Sequence, residues 1–564
     1  MKYETWDMKY MKKIYKLAND YSIYLILALA TVLRLRQLGV RDFWYDEAFT
    51  GIAVKESWSG MLGMIMKDVH PPLYYITLKL FSVPFDYSVV GIRLFSAIFG
   101  ILCVFAVYLF AKELFGKRAA LFASLIAALS PFAIQYSQEG RMYSMFAFFI
   151  LMAGYFLVKS LRATEFTSYR VNRYSILFGL FLGLSALTHY MGIFFAPIFY
   201  LVYVVWNFNK GDILSSDLRF TIYDLRKLFV TILPTKQIIL GFFVSVLVFL
   251  PWISNFINHV VKNATSNSLD WIRPANFGDI SVNIQMFIFG TPLGEMSSGM
   301  PGPNEFYGIA DISMWVAITI FFTSIIIYLL YPRPSILSSS GRVATATRAR
   351  GSKVMESRHL DSRLRGNDKR GGSDNKKIEI VTVILLSIGF MMLIWLLGFF
   401  GKYYFVARYL LPAGYFIFAL IGVWLSRIRL PYSALAVTFY IVLLFLTVPL
   451  GYSEGWNEFT NNMDKYKNSD FYILNSFDYV IAKYYLGADR LTLYNVDWPP
   501  YNPDYWAAIG SSLKRTENFE DLRNDKNALI ISNTQLGGQD NVNFDPAGLE
   551  LISQYKNILI YKFK

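Results

Sequence analysis

Long apolar runs alternate with short polar or basic links along most of this chain. Runs near residues 21–40, 91–111, 119–134, 142–159, 175–189, 191–206, 237–256, 312–331, 378–400, 409–426 and 431–449 predict eleven membrane-crossing helices. A shorter run, 73–85, follows Pro71-Pro72 and carries Lys79, which suits a helix lying in the membrane interface. The links set an orientation. Residues 1–20 contain Lys2, Lys9, Lys12, Lys13 and Lys16, and the links 112–118, 162–173 and 207–236 are basic too, so all are expected in the cytoplasm. The first run lacks a small-residue cleavage site and reads as an uncleaved anchor. Residues 41–90, the first outer loop, then face outward together with 137–141, 188–190, 257–310 and 401–408.

Two segments break this rhythm. Residues 333–377 hold 12 basic and 4 acidic residues with few apolar ones, which predicts a disordered basic cytoplasmic insertion within the transmembrane domain 21–449. Beyond residue 450 the chain turns slightly acidic. Strand-like runs at 471–475, 491–496, 528–532 and 558–563 alternate there with helical patterns at 478–486 and 505–513. That alternation predicts a small extracytoplasmic α/β domain over 450–564.

Composition agrees with a polytopic α-helical membrane protein. The 564 residues are 55% hydrophobic and 17% charged, with a mean hydropathy of +0.37. Net charge is +14, but the basic insertion supplies so much of it that only about +6 remains elsewhere, and no nucleic-acid partner is inferred. Cys103 is the single cysteine, which excludes a disulfide framework and a cysteine-based zinc site.

The candidate chemistry lies in the outward links. Arg41–Thr50, RDFWYDEAFT, sets Asp46 and Glu47 behind Trp44 and Tyr45. Carboxylates at a lipid boundary are costly unless they pair, bind a cation or react. His70-Pro71-Pro72, Gln138-Glu139-Gly140-Arg141 with Tyr143, and Lys402 with Arg408 fall on the same face. Such a grouping suits a membrane-lipid substrate whose reactive end sits at headgroup level, such as a polyprenyl-phosphate sugar. Transfer of the sugar needs a base for the acceptor hydroxyl and a cation for the departing phosphate. Arg93 fits either a phosphate contact or a snorkelling side chain. His189 beside Tyr190 reads as a structural pair at the interface.

RDFWYDEAFT, DVHPPLYY, SPFAIQYSQEGRMY, LTHYMG and FVARYLLP occur in this order. Together they resemble the bacterial dolichyl-phosphate-mannose-protein mannosyltransferase-like proteins and the related aminoarabinose transferases of lipid A. These are integral-membrane glycosyltransferases of the C-type (GT-C) superfamily. The resemblance covers residues 20–450 apart from the insertion. It implies that Asp46 is a catalytic base or acceptor-positioning group, with Glu47 its acidic neighbour. It also implies that Glu139 and Arg141 line the donor cavity and that Arg408 lies near the lipid phosphate. Tyr143 and Lys402 complete the expected donor site. His70 falls where the aminoarabinose transferases carry a metal-binding glutamate before Lys-Pro, leaving a divalent metal ion as a candidate cofactor.

The expected function is inverting transfer of a hexosyl or pentosyl group from a polyprenyl-phosphate donor. The acceptor would be a protein, lipid A or a cell-envelope glycan, outside the bacterial cytoplasmic membrane. A transporter of lipid-linked saccharides is the alternative. It would be expected to show broken polar helices at mid-membrane and internal repeats.

Overall fold

The computed structural model describes residues 21–163, 168–210, 232–265, 272, 274–290, 377–400, 404–447, 455–474, 476–487, 489–494, 514–516, 519–533 and 548–564. Helices α1 (Tyr21–Leu35), α2 (Tyr45–Lys55), α3 (Trp58–Lys67), α4 (Leu73–Ser82), α5 (Val89–Phe115), α6 (Lys117–Leu129), α7 (Pro131–Ser137), α8 (Tyr143–Arg162), α9 (Ser168–Thr188) and α10 (Met191–Lys210) come first. Further helical runs follow at Lys236–Lys262, Gly278–Phe289, Lys377–Phe400, Ala407–Arg427 and Leu430–Thr447.

Among the described residues six helices are long and apolar enough to cross a membrane: α5, α8, Met191–Phe208 of α10, Lys236–Lys262, Lys377–Phe400 and Ala407–Arg427. The bent pair α6–α7 makes a seventh if taken as one span. The chain is a multi-pass membrane protein. The expected count of eleven is not confirmed among the described residues, where Tyr21–Leu35, Arg173–Thr188 and Pro431–Val442 are shorter apolar helices. The predicted helix 312–331 lies outside the described residues, as do 333–376 of the basic insertion.

The helix expected over 119–134 breaks by 62° between α6 and α7. Pro131 has no N–H to continue the ladder, and Ser130 instead caps α7 by accepting from the Ala133 amide (3.2 Å). The carbonyls released at the end of α6 meet a buried cation. Arg34 donates Nη1 to Ala128 O (3.0 Å), Nη2 to Ala127 O (2.9 Å) and Nε to Ser137 Oγ (3.2 Å). This satisfies both an arginine in an apolar setting and a helix end without partners. α7 can then turn the link 138–141 toward the first loop.

That loop is more ordered than its polarity suggests. It folds into α2, α3 and α4, of which only α4 follows from the sequence pattern. Asp46 and Glu47 occupy the first turn of α2, where acidic groups oppose the helix dipole favourably. At the other end Lys79 of α4 donates Nζ to the carbonyls of Val54 (2.8 Å) and Glu56. The region expected as an outer loop, 257–310, likewise contains helix: Ile253–Thr265 continues the preceding span, and Gly278–Phe289 follows.

The C-terminal residues form one six-stranded sheet in the order β3-β2-β1-β4-β6-β5. The strands are β1 (Asp470–Ile473), β2 (Leu491–Tyr494), β3 (Lys514–Thr516), β4 (Ala528–Asn533), β5 (Leu549–Tyr555) and β6 (Ile558–Phe563). β1 to β4 run parallel, and β5–β6 is an antiparallel hairpin. Helix Ser476–Leu486 links β1 to β2. Four strands match the sequence reading. β3 and β5 were not expected: β3 has three residues, and β5 is buried only at its two ends, so neither alternates visibly. The predicted helix 505–513 lies outside the described residues.

Candidate active site

Residues 42–47 run between the helical body and the C-terminal domain, and neighbouring side chains along them meet different environments. Glu47 is buried, 1% exposed. Its Oε1 accepts from Arg93 Nε (2.8 Å) and from the Gly140 amide (2.6 Å), and its Oε2 accepts from Arg93 Nη2 (2.6 Å). Arg93 completes its set on main-chain oxygens of Leu38 (2.9 Å), Arg41 (2.7 Å) and Asp42 (2.9 Å). All five N–H donors of the guanidinium are therefore occupied. Arg93 is neither a phosphate contact nor a snorkelling end. With Glu47 it fastens α2 to α5 and to the link before α8.

Asp46 differs from its neighbour. It is half-buried, and among the described residues no hydrogen bond or ion pair reaches its carboxylate. Its main-chain carbonyl is held instead, accepting from Arg141 Nη1 (3.1 Å) and Thr50 Oγ1 (2.9 Å). The charge of Asp46 is felt at both Arg141 and Arg408.

Arg141 is 2% exposed. Beyond Asp46 O, its Nη1 donates to Thr50 Oγ1 (2.9 Å) and Tyr75 OH (3.2 Å), and Nη2 makes a long contact with His70 Nε2 (3.4 Å). Among the described residues its Nε finds no acceptor and no carboxylate forms an ion pair with it. A buried guanidinium left short of acceptors is an anion site in chemical terms. Arg408 comes in from the 3-10 turn Ala407–Leu410, its guanidinium 5.6 Å from the Trp44 ring and 5.7 Å from that of Tyr409. Tyr143, at the start of α8, is buried with its ring 6.3 Å from Tyr409 and 6.1 Å from His189.

Glu139 sits in the same link as Arg141. Burial, and then the Glu47 and Asp46 carboxylates, push its own carboxyl up to about 8 against the pull of Arg408 and Arg41. Lys402 lies outside the described residues. The structure thus gathers Asp46, Glu47, His70, Glu139, Arg141, Tyr143 and Arg408 around one region, with Glu47 facing inward.

His189 belongs there too, although the sequence reads it as structural. It is 5% exposed, and its Nδ1 accepts from the Met191 amide (3.2 Å), so the proton sits on Nε2. Burial, helped by His70, Arg141 and Arg408, holds it well below the usual histidine range and therefore neutral. Nε2 has no partner among the described residues, and the ring lies 4.7 Å from Tyr409 and 5.9 Å from His70. The signal was present in the Thr188-His189-Tyr190 link, but nothing in it shows which nitrogen is left open.

The neighbours of His70 are a carboxylate on one ring nitrogen and a guanidinium on the other. Asp68 Oδ2 takes its Nδ1 (2.9 Å), which turns Nε2 toward the Arg141 cation. Among the described residues no three His, Cys, Asp or Glu side chains gather in a form that could hold an ion. The donor set here suits an anion.

Residues 69–232 match the model of the dolichyl-phosphate-mannose-protein mannosyltransferase family. In three dimensions the chain is similar to ArnT from Cupriavidus metallidurans in the apo state, with a TM-score of 0.52 at 12% identity, over 96% of this chain and 97% of that one. The fold is that of the GT-C glycosyltransferases. The resemblance carried by the motifs thus holds at the level of fold, and the GT-C core comes with a small C-terminal sheet. AglB, the archaeal oligosaccharyltransferase of Archaeoglobus fulgidus, aligns with a TM-score of 0.48 at 12% identity, over 93% of this chain and 70% of that one. No curated protein matches in sequence.

Proposed function

We propose that this GT-C protein transfers a sugar from a polyprenyl-phosphate donor to a hydroxyl-bearing acceptor, with inversion, outside the cytoplasmic membrane of a bacterium. The observation that carries the reading is the contrast between Asp46 and Glu47: the first carboxylate is without a described partner beside two arginines, while the second is fully engaged with Arg93. The matched family is named for a dolichyl-phosphate sugar donor and a protein acceptor, which agrees with the donor class.

In this mechanism Asp46 takes the proton of the acceptor hydroxyl as its oxygen attacks the anomeric carbon. The bond from that carbon to the phosphate oxygen breaks, and its electron pair leaves with the polyprenyl phosphate. Arg141 Nε, His189 Nε2–H and Arg408 face the negative charge that develops there, where fixed donors in a dry site act strongly. Glu139, held protonated near neutrality, donates a hydrogen bond to the donor. Glu47 acts by placing α2.

The test is a panel of radiolabelled polyprenyl-phosphate hexoses and pentoses, offered to purified protein with membrane extracts as the acceptor source. Transfer of label supports the reading and names the donor. Movement of intact donors across proteoliposomes, with no transfer from any of them, contradicts it and favours a transporter.

A further inference from the structure

We infer that the C-terminal domain is a positioning part of the active site, locked by Asp42 and Tyr485 to the strip Asp42–Glu47 so that it sets the Asp46 carboxylate. The catalytic arm of this inference rests on the role given to Asp46 above.

Asp42 is 8% exposed and is used on two sides. Its carboxylate accepts three main-chain amides from the far end of the chain: Gly455 N (2.8 Å) and Trp456 N (3.1 Å) on Oδ2, and Asn457 N (2.9 Å) on Oδ1. Its main-chain carbonyl accepts Arg93 Nη2 (2.9 Å) in the helical body. One residue therefore joins both halves. Gly455 makes the amide cluster possible, since it has φ +112° and a Cβ there would fall 2.0 Å from Tyr555 O.

The next residue continues the lock. The Phe43 amide donates to Tyr485 OH (3.0 Å), and the Phe43 ring lies 4.7 Å from Tyr484 on one side and 5.1 Å from the Arg93 guanidinium on the other. Tyr485 in turn stacks on buried Trp456, 7° from parallel. Helix Ser476–Leu486 packs along α2 itself. Tyr484 rests on Gly51, where a Cβ would come within 2.5 Å of the ring, and Lys55 Nζ sits 3.9 Å above that ring. Tyr484 OH donates to Tyr87 O (3.0 Å), tying the same helix to the turn before α5.

These contacts reach α2 where it has least support of its own. Trp44, its N-cap residue, makes no side-chain capping bond. The start of the helix, with Asp46 in its first turn, is instead held by Glu47 from the helical body and by residues 42 and 43 from the C-terminal domain. Fixing a reacting group to within a fraction of an ångström is a large part of catalysis. Asp42 and Tyr485 are accordingly positioning residues.

The experiment follows amide hydrogen exchange over residues 42–50 in the full-length protein, with donor turnover measured on the same samples. Wild type is compared with Asp42→Ala, Asp42→Asn and Tyr485→Phe. In Asp42→Ala we expect exchange over 42–50 to rise at least about tenfold and kcat to fall by about the same factor, with donor KM within about twofold. Asp42→Asn keeps one acceptor oxygen and should recover part of both effects, while Tyr485→Phe should give a smaller shift in the same direction. Unchanged exchange in Asp42→Ala and Tyr485→Phe overturns the lock. Faster exchange with wild-type kcat overturns the positioning role. If Asp42→Ala does not fold, Tyr485→Phe decides by the same two readings. If wild type turns over none of the donors, the proposed activity fails, while the exchange arm still decides whether the domain holds the strip.

Discussion

Arg93 and Arg141 are both buried arginines beside α2, yet they are finished differently. Arg93 has a carboxylate partner and five acceptors for its five N–H groups. Arg141 has no carboxylate pair among the described residues, crowds three acceptors around one nitrogen and leaves Nε bare. A completed guanidinium holds a fold together. An incomplete one is favoured by the charges of nearby Asp46 and Asp68, and it can still bind an anion. In this molecule, where a buried cation stops making bonds is a better guide to function than where it sits.

That comparison can be broken by mutation. The largest effect should come from Arg93→Ala, which strands the buried Glu47 carboxylate and should cost about 3–5 kcal/mol of stability, read as loss of folded protein on thermal unfolding in detergent. Arg141→Lys should leave the melting temperature within a few degrees but lower donor turnover about 10²- to 10³-fold, because a point charge replaces a planar fork. If Arg141→Lys unfolds the protein as Arg93→Ala does, the distinction fails.

Glu139→Gln sharpens the electrostatic side. The folded Glu139 carboxyl, at about 8, is raised above its ordinary value of 4.5. Between those values the folded state holds a proton that the unfolded state has lost, so this group makes stability fall as pH rises from about 4.5 to 8. Melting temperatures across that window should slope less in Glu139→Gln than in wild type. The smallest expected change is His189→Phe. It should raise donor KM by no more than about tenfold, the worth of one hydrogen bond, while His189→Gln, which keeps an N–H, recovers part of the loss.

Much of the fold was legible because apolar runs separated by basic links leave few architectures open. Asp46, Arg141 and Arg408 could be singled out because charges are costly in such surroundings. The partners that distinguish them could not be read. Glu47 pairs with a residue 46 positions away and Arg141 meets Asp46 across 95, and no local spacing encodes either distance. α2 was hidden because a partly polar, aromatic-rich stretch has weak periodicity, and its stability comes from Lys79, Arg93 and Tyr484 in other elements. The break at Ser130-Pro131 did have a local signal, but the buried Arg34 that donates to the freed carbonyls did not.

The most direct test of the account is the rate of sugar transfer by Asp46→Asn beside that of Glu47→Gln, each corrected for the fraction of folded protein. The account predicts that Asp46→Asn, still folded, loses about 10²- to 10⁴-fold in turnover, whereas correctly folded Glu47→Gln, which disturbs only the placement of α2, loses about tenfold at most. Turnover near the wild-type rate in Asp46→Asn, or an equal loss per folded molecule in Glu47→Gln, would contradict it.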